Sequence, residues 1–209
     1  MSGNLVRPRD PEPAAPFTAA MTATGQGVAG AKTDRRALRS RQALTAAFAE
    51  LLLDRGYANL TVAEVTERAN VGRSTFYAHF AGLEGILKLS LARPSSHLVA
   101  IVGGEVTPEA VTPILIHFQS QRRLNRAMLT PPARGLWVRA LAELIEPRLP
   151  PRPAGPAPRL PTGLIALQIA EGQIALVANW LLLRPSTAPE AVAAALIATT
   201  RANLSALLD

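Results

Sequence analysis

TVAEVTERANVGRSTFYAHF, residues 61–80, decides how the chain folds. Thr61-Val62-Ala63-Glu64 has the pattern of a capping box, with Leu60 and Val65 placed for the accompanying hydrophobic staple. Val62, Val65 and Ala69 then share one face at helical spacing, while Glu64, Glu67 and Arg68 point elsewhere. Asn70-Val71-Gly72 supplies a sharp reversal, and Gly72 is an acceptable N-cap for a second helix. Val71, Phe76 and Phe80 give that helix one apolar edge, and Arg73, Ser74, Thr75, Tyr77 and His79 occupy the rest of it. A short helix with one buried edge and such a face suits a DNA major groove. Arg pairs with guanine, Ser and Thr meet bases or the thymine methyl, and Tyr and His reach phosphate.

The run from Ala69 to Phe80, following a helix that ends Asp54-Arg55-Gly56-Tyr57, resembles the helix-turn-helix signature of the TetR family of bacterial transcriptional regulators. The resemblance extends from about residue 32 to residue 87. It implies an all-α protein of about nine helices, with a three-helix DNA-binding domain followed by a C-terminal helical domain for effector binding and dimerisation. It also implies a homodimer on double-stranded operator DNA, an effector pocket among the helices between Leu91 and Leu149, and pairing through the last two long helices. Members usually carry a Lys at the start of the fourth helix to grip phosphate. Gly82 and Leu83 stand there instead, which leaves only backbone N–H groups for that contact.

The bulk numbers agree with an aliphatic, helical core: 48% of residues are hydrophobic but only 4% aromatic. A formal charge of +7 is compatible with a polyanionic partner. A genome rich in G and C would also produce it, since Lys32 and Lys88 are the only lysines beside 20 arginines. With no Cys there is no disulfide framework or thiolate metal site, and the N-terminus lacks the build of a secretory signal. The expected location is the cytoplasm, with no membrane partner.

Residues 1–31 are rich in Pro, Ala, Gly and Thr and read as a disordered tail; Met21 is a second candidate for the first residue. Arg7-Pro8-Arg9 could reach a minor groove, against the simpler reading of an inert tail. The DNA-binding domain covers 32–83. Its first helix, Lys32 to Asp54, is capped by Thr33 and stopped by Gly56, with Arg35, Arg36, Arg39 and Arg41 crowding its start. Cations oppose the positive end of the helix dipole, so their clustering favours nearby phosphates. Residues 32–93 hold ten basic and six acidic side chains, a net of +4 and more than half of the chain's excess. Thr61, Arg36 and Arg39 join the reading-helix residues as candidate DNA contacts.

The C-terminal domain covers 84–209. Ile86, Leu87, Leu89 and Leu91 run a fourth helix into it, and Pro94 marks the change to helices punctuated by loops. Thr107-Pro108-Glu109 opens one helix and Thr130-Pro131 the next. Seven prolines between 147 and 161 predict an extended connector. Residues 162–183 are apolar on nearly every side, which predicts a helix buried all round. Thr187-Ala188-Pro189-Glu190 has a second capping-box pattern. These two closing helices hold more apolar surface than one subunit can cover, so Leu176, Trp180, Leu196, Ile197 and Leu204 are expected at a dimer interface. His117, Phe118, Gln121, Met128 and Trp137 are candidates for a pocket taking a mostly apolar small molecule; the competing reading places Trp137, Phe118 and Met128 simply in the core. An enzyme is the main rival class. The chain has no Gly-rich phosphate loop, nucleophile elbow or paired His ligands, so no catalytic residue, metal or cofactor is expected.

Overall fold

The computed structural model describes residues 28–104, 106–151, 160–183 and 187–208. Nine α-helices and no strand are found among them: α1 (Val28–Arg55), α2 (Val62–Arg68), α3 (Arg73–His79), α4 (Leu83–Val102), α5 (Pro108–Ser120), α6 (Arg122–Met128), α7 (Ala133–Ile145), α8 (Thr162–Leu182) and α9 (Pro189–Leu208). Arg7-Pro8-Arg9 and most of the proline-rich connector lie outside the described residues.

Local chemistry sets the N-terminal elements. α1 ends where Gly56 adopts φ 72°, a left-handed conformation that Gly takes without a Cβ clash, and its N–H still closes on the Leu52 carbonyl at 3.0 Å. α1 begins at Val28, ahead of the expected Lys32, so Thr33 falls inside the helix and does not cap it. α2 and α3 pack against α1 around Leu44, Phe48, Leu52, Val65 and Phe76, each fully buried or nearly so.

α4, α7, α8 and α9 form the core of the second half, with α5 laid along α9 and α6 set between α1 and α8. Pro94 does not end a helix: α4 passes through it to Val102. A proline inside a helix deletes one hydrogen bond, here to the Ser90 carbonyl. Ser95, Leu98, Val99, Ile101 and Val102 are all buried beyond it, and that packing outweighs the lost bond. Thr130 does not open α7 either. Its hydroxyl donates back to the Ala127 carbonyl at 3.1 Å, and α7 begins at Ala133. At the start of α9 the first helical bonds close on the Ala188 carbonyl, so Thr187 stands one position ahead of the N-cap.

α8 is not buried all round. Leu164, Leu167, Gln168, Gly172 and Asn179 are exposed on its outer side, while Ile165, Ile169, Ile174, Val177 and Leu181 face the core. The expected interface residues divide the same way. Trp180, Leu196, Ile197 and Leu204 are covered by their own subunit, at 6%, 0%, 6% and 9% exposure, and Leu176 alone is half-exposed. Side chains already inside one subunit have no area left to offer a second.

Candidate nucleic-acid interface

The geometry of residues 61–80 starts from the cap. Thr61 Oγ1 accepts from the Glu64 N–H at 3.2 Å and donates to Glu64 Oε2 at 2.8 Å, while the Thr61 N–H donates to the same oxygen at 2.9 Å. Arg55, at the end of α1, pairs with the other carboxylate oxygen. The Thr61 hydroxyl and backbone bonds, with Arg55 adding a smaller attraction, hold the Glu64 carboxyl below its ordinary range. Both donors of Thr61 are thereby engaged inside the cap. The hydroxyl holds α2 in place and has no hydrogen left for a phosphate, contrary to the expectation for this residue.

After α2 the chain reverses at Asn70, whose φ of 51° is the left-handed conformation that Asn tolerates better than most residues. The Val71 N–H closes the turn on the Thr66 carbonyl at 3.0 Å, and Gly72 takes the N-cap position of α3. Phe76 is fully buried and Phe80 nearly so, their rings 5.7 Å apart. With these two side chains anchored, the rest of α3 turns outward. Arg73, Ser74, Tyr77 and Ala78 are exposed, Tyr77 at 60%, and Thr75 and His79 are half-buried. The Tyr77 ring stands edge-on to Phe76 at 5.3 Å, which steadies it while its hydroxyl end faces solvent.

Charges around this face are sorted. Arg55 is taken up by Glu64, Arg68 by Glu50 at 3.1 Å, and Lys88 by Glu84 at 3.0 Å and Glu143 at 3.5 Å. Arg36, Arg39, Arg41 and Arg73 are exposed and make no salt bridge among the described residues. The carboxylates thus neutralise cations that brace the domain and leave Arg36, Arg39, Arg41 and Arg73 available to an anion. The sequence alone placed these arginines but did not show which of them are paired, because the pairs span 9 and 18 residues. Glu84 sits in the first turn of α4, which makes that helix start less hospitable to phosphate than a neutral one.

Two anchored short helices at a tight turn, with an exposed polar face and unpaired arginines, form a helix-turn-helix. Residues 44–88 match the model of the bacterial regulatory proteins of the tetR family. An uncharacterized HTH-type transcriptional regulator of Bacillus subtilis, YxbF, is 36% identical over 67 residues, which are 32% of this chain and 18% of that protein. A solved TetR transcriptional regulator from Streptococcus agalactiae aligns over 82% of this chain and 98% of its own length, at 27% identity and a TM-score of 0.53. Residues 44–88 thus carry the DNA-binding segment of tetR-family regulators. The described helices follow the same plan, a helix-turn-helix unit leading into a helical C-terminal part.

The expected effector residues differ in burial. Trp137 is fully buried, its Nε1–H donating to Ser95 Oγ at 3.1 Å, and Phe118 meets it edge-to-face at 6.0 Å. Met128 is also buried, and Gln121 is half-buried at the α5–α6 junction. Trp137, Phe118 and Met128 thus belong to the hydrophobic core. His117 is half-buried, and burial followed by the charge of Arg93 holds its pKa below the ordinary 6.5.

Proposed function

We propose that the chain is a repressor that binds a near-palindromic operator as a homodimer and leaves it when a small molecule binds the C-terminal domain. What supports this reading is the outward face of α3, with Arg73, Ser74, Thr75 and Tyr77 held over a buried Phe76–Phe80 edge, together with Arg36, Arg39 and Arg41 of α1, which make no salt bridge among the described residues. Arg73 and Thr75 read base edges in this scheme, while Tyr77, His79, Arg36 and Arg39 meet phosphates. Binding DNA, not catalysis, is the activity.

A single reading helix offers few base contacts, so selectivity calls for two of them, spaced roughly 34–36 Å apart on successive major-groove turns. We assign the pairing surface to the outer sides of α8 and α9. Leu167, Gly172 and Leu176 on α8, with Ala194, Ala198 and Ala202 on α9, are exposed or half-exposed there. From 164 to 179 and from 191 to 206 only Glu171 and Arg201 ionise, and both are occupied: Arg134 holds Glu171 at 2.5 Å, and Arg201 donates to the Gly104 carbonyl at 2.9 Å. α8 and α9 are also long and apolar enough to cross a membrane, with 56% and 33% of their most apolar stretches buried. Cover by a second subunit accounts for that exposed remainder without a bilayer.

Selection of bound fragments from the source genome at moderate salt tests the reading. The expected result is enrichment of sites with two-fold related halves. Uniform recovery of all fragments contradicts it.

A further inference from the structure

Beyond Thr162 in its first turn, α8 carries Gln168, Glu171, Gln173 and Asn179, and Gln168, Glu171 and Asn179 fall on or beside its outer side. Gln173 does not. It is 2% exposed and lies between α8, α4 and α9. Its Nε2 donates to the Leu98 carbonyl of α4 and to Thr200 Oγ1 of α9, each at 3.1 Å. Those bonds use both amide hydrogens, and they fix which way the amide faces. Turned over, its oxygen would meet the Leu98 carbonyl, acceptor against acceptor. Gln173 Oε1 is consequently buried, and no donor reaches it among the described residues.

An unmatched buried acceptor is destabilising, a cost that a Leu or Met of similar length would avoid. A buried polar group kept without a partner calls for a reason outside simple packing. The surroundings narrow what the partner is. Among the described residues no buried side chain on these three helices carries a charge, and apart from Gln173 only Ser90, Ser95 and Thr200 are polar beside Leu98, Ile101, Ile174, Leu196 and Ile197. A charged guest would lose its hydration there with no counter-charge to replace it.

We propose that Gln173 Oε1 is the polar anchor for the small-molecule effector, an uncharged molecule that presents a hydroxyl or N–H donor between α4, α8 and α9. The inference rests on the effector reading above and gives it a ligand class. The same amide holds the Leu98 carbonyl of α4, the helix that follows the reading helix, so a guest on Gln173 acts directly on the link between the two halves.

The test uses the full chain without DNA and two matched probe pairs that differ by one donor: phenol against anisole, and 2-naphthol against 2-methoxynaphthalene. Binding is followed by titration calorimetry and by the Gln173 side-chain amide resonances. In at least one pair the donor-bearing member should bind about tenfold tighter or better and shift the Gln173 amide, and Gln173→Leu should abolish the preference. Gln173→Met serves as the second variant, and the amide shift in the unaltered protein needs no variant at all. Equal binding within both pairs, no binding by any probe, or a preference that survives in a folded Gln173→Leu protein would overturn the proposal. Operator binding is measured separately. Intact operator binding without donor preference sinks only this inference, whereas donor preference without operator binding sinks the repressor reading.

Discussion

Ile197 and Ala198 are neighbours on α9 with opposite surroundings, and a glutamate at each separates subunit stability from dimerisation. Ile197 is 6% exposed inside its own subunit, whereas Ala198 is exposed on the outer stripe. Ile197→Glu loses about 1.5–3 kcal/mol of apolar burial and adds several kcal/mol for a carboxyl in the core. Together these approach the roughly 5–15 kcal/mol that holds a typical domain folded. Ala198→Glu costs its own subunit only a few tenths of a kcal/mol in helix propensity. In the dimer, however, its carboxylate is trapped against the partner subunit. A penalty of about 3 kcal/mol there raises the dimer Kd by about 100-fold. Sedimentation equilibrium beside circular-dichroism melting reads both effects. Ala198→Glu should melt as the unaltered subunit does and sediment as a monomer, and Ile197→Glu should lose its cooperative melt. If Ala198→Glu remains dimeric, or Ile197→Glu melts normally, the assignment of inner and outer faces is wrong.

Removing the α2 cap, Thr61→Ala, should cost about 1 kcal/mol of stability, measured as a lowered denaturation midpoint, while the salt slope of DNA binding stays the same because Thr61 contacts no phosphate. The Glu64 carboxyl is depressed in the folded state, so its contribution is present above the ordinary value of 4.5 and lost as pH falls below it; Thr61→Ala should flatten that part of the stability–pH curve. Arg36→Ala and Arg39→Ala should each weaken operator and random DNA alike, lowering the log–log salt slope by about 1. Tyr77→Phe should do the same for affinity, and a loss confined to the operator would assign the hydroxyl to a base instead.

How much of this was legible in the sequence depended on how local the chemistry was. The Thr61–Glu64 cap, the Gly56 stop, the Asn70–Gly72 reversal and the Gly72 N-cap each involve residues within a turn of one another, and their residue types are nearly sufficient. Local propensity marks Pro94 as a boundary, and only the buried residues on α4 beyond it show why the helix continues. Thr130 carries an N-cap side chain, yet its hydroxyl turns back to Ala127, a competition no pattern reveals. α8 and α9 are apolar enough that composition could not say which side meets the subunit's own core. Trp137 and Phe118 attracted attention as pocket residues because aromatics are scarce in this chain, but scarcity says nothing about whether the space beside them is filled.

The central claim is that α3 reads sequence, and Arg73 carries it. Quantitative footprinting of Arg73→Ala on the selected operator and on random DNA, at one salt concentration, tests it most directly. The account predicts a loss of roughly 1–3 kcal/mol on the operator and little change on random DNA. Equal losses on both would contradict it, leaving Arg73 as one more phosphate contact.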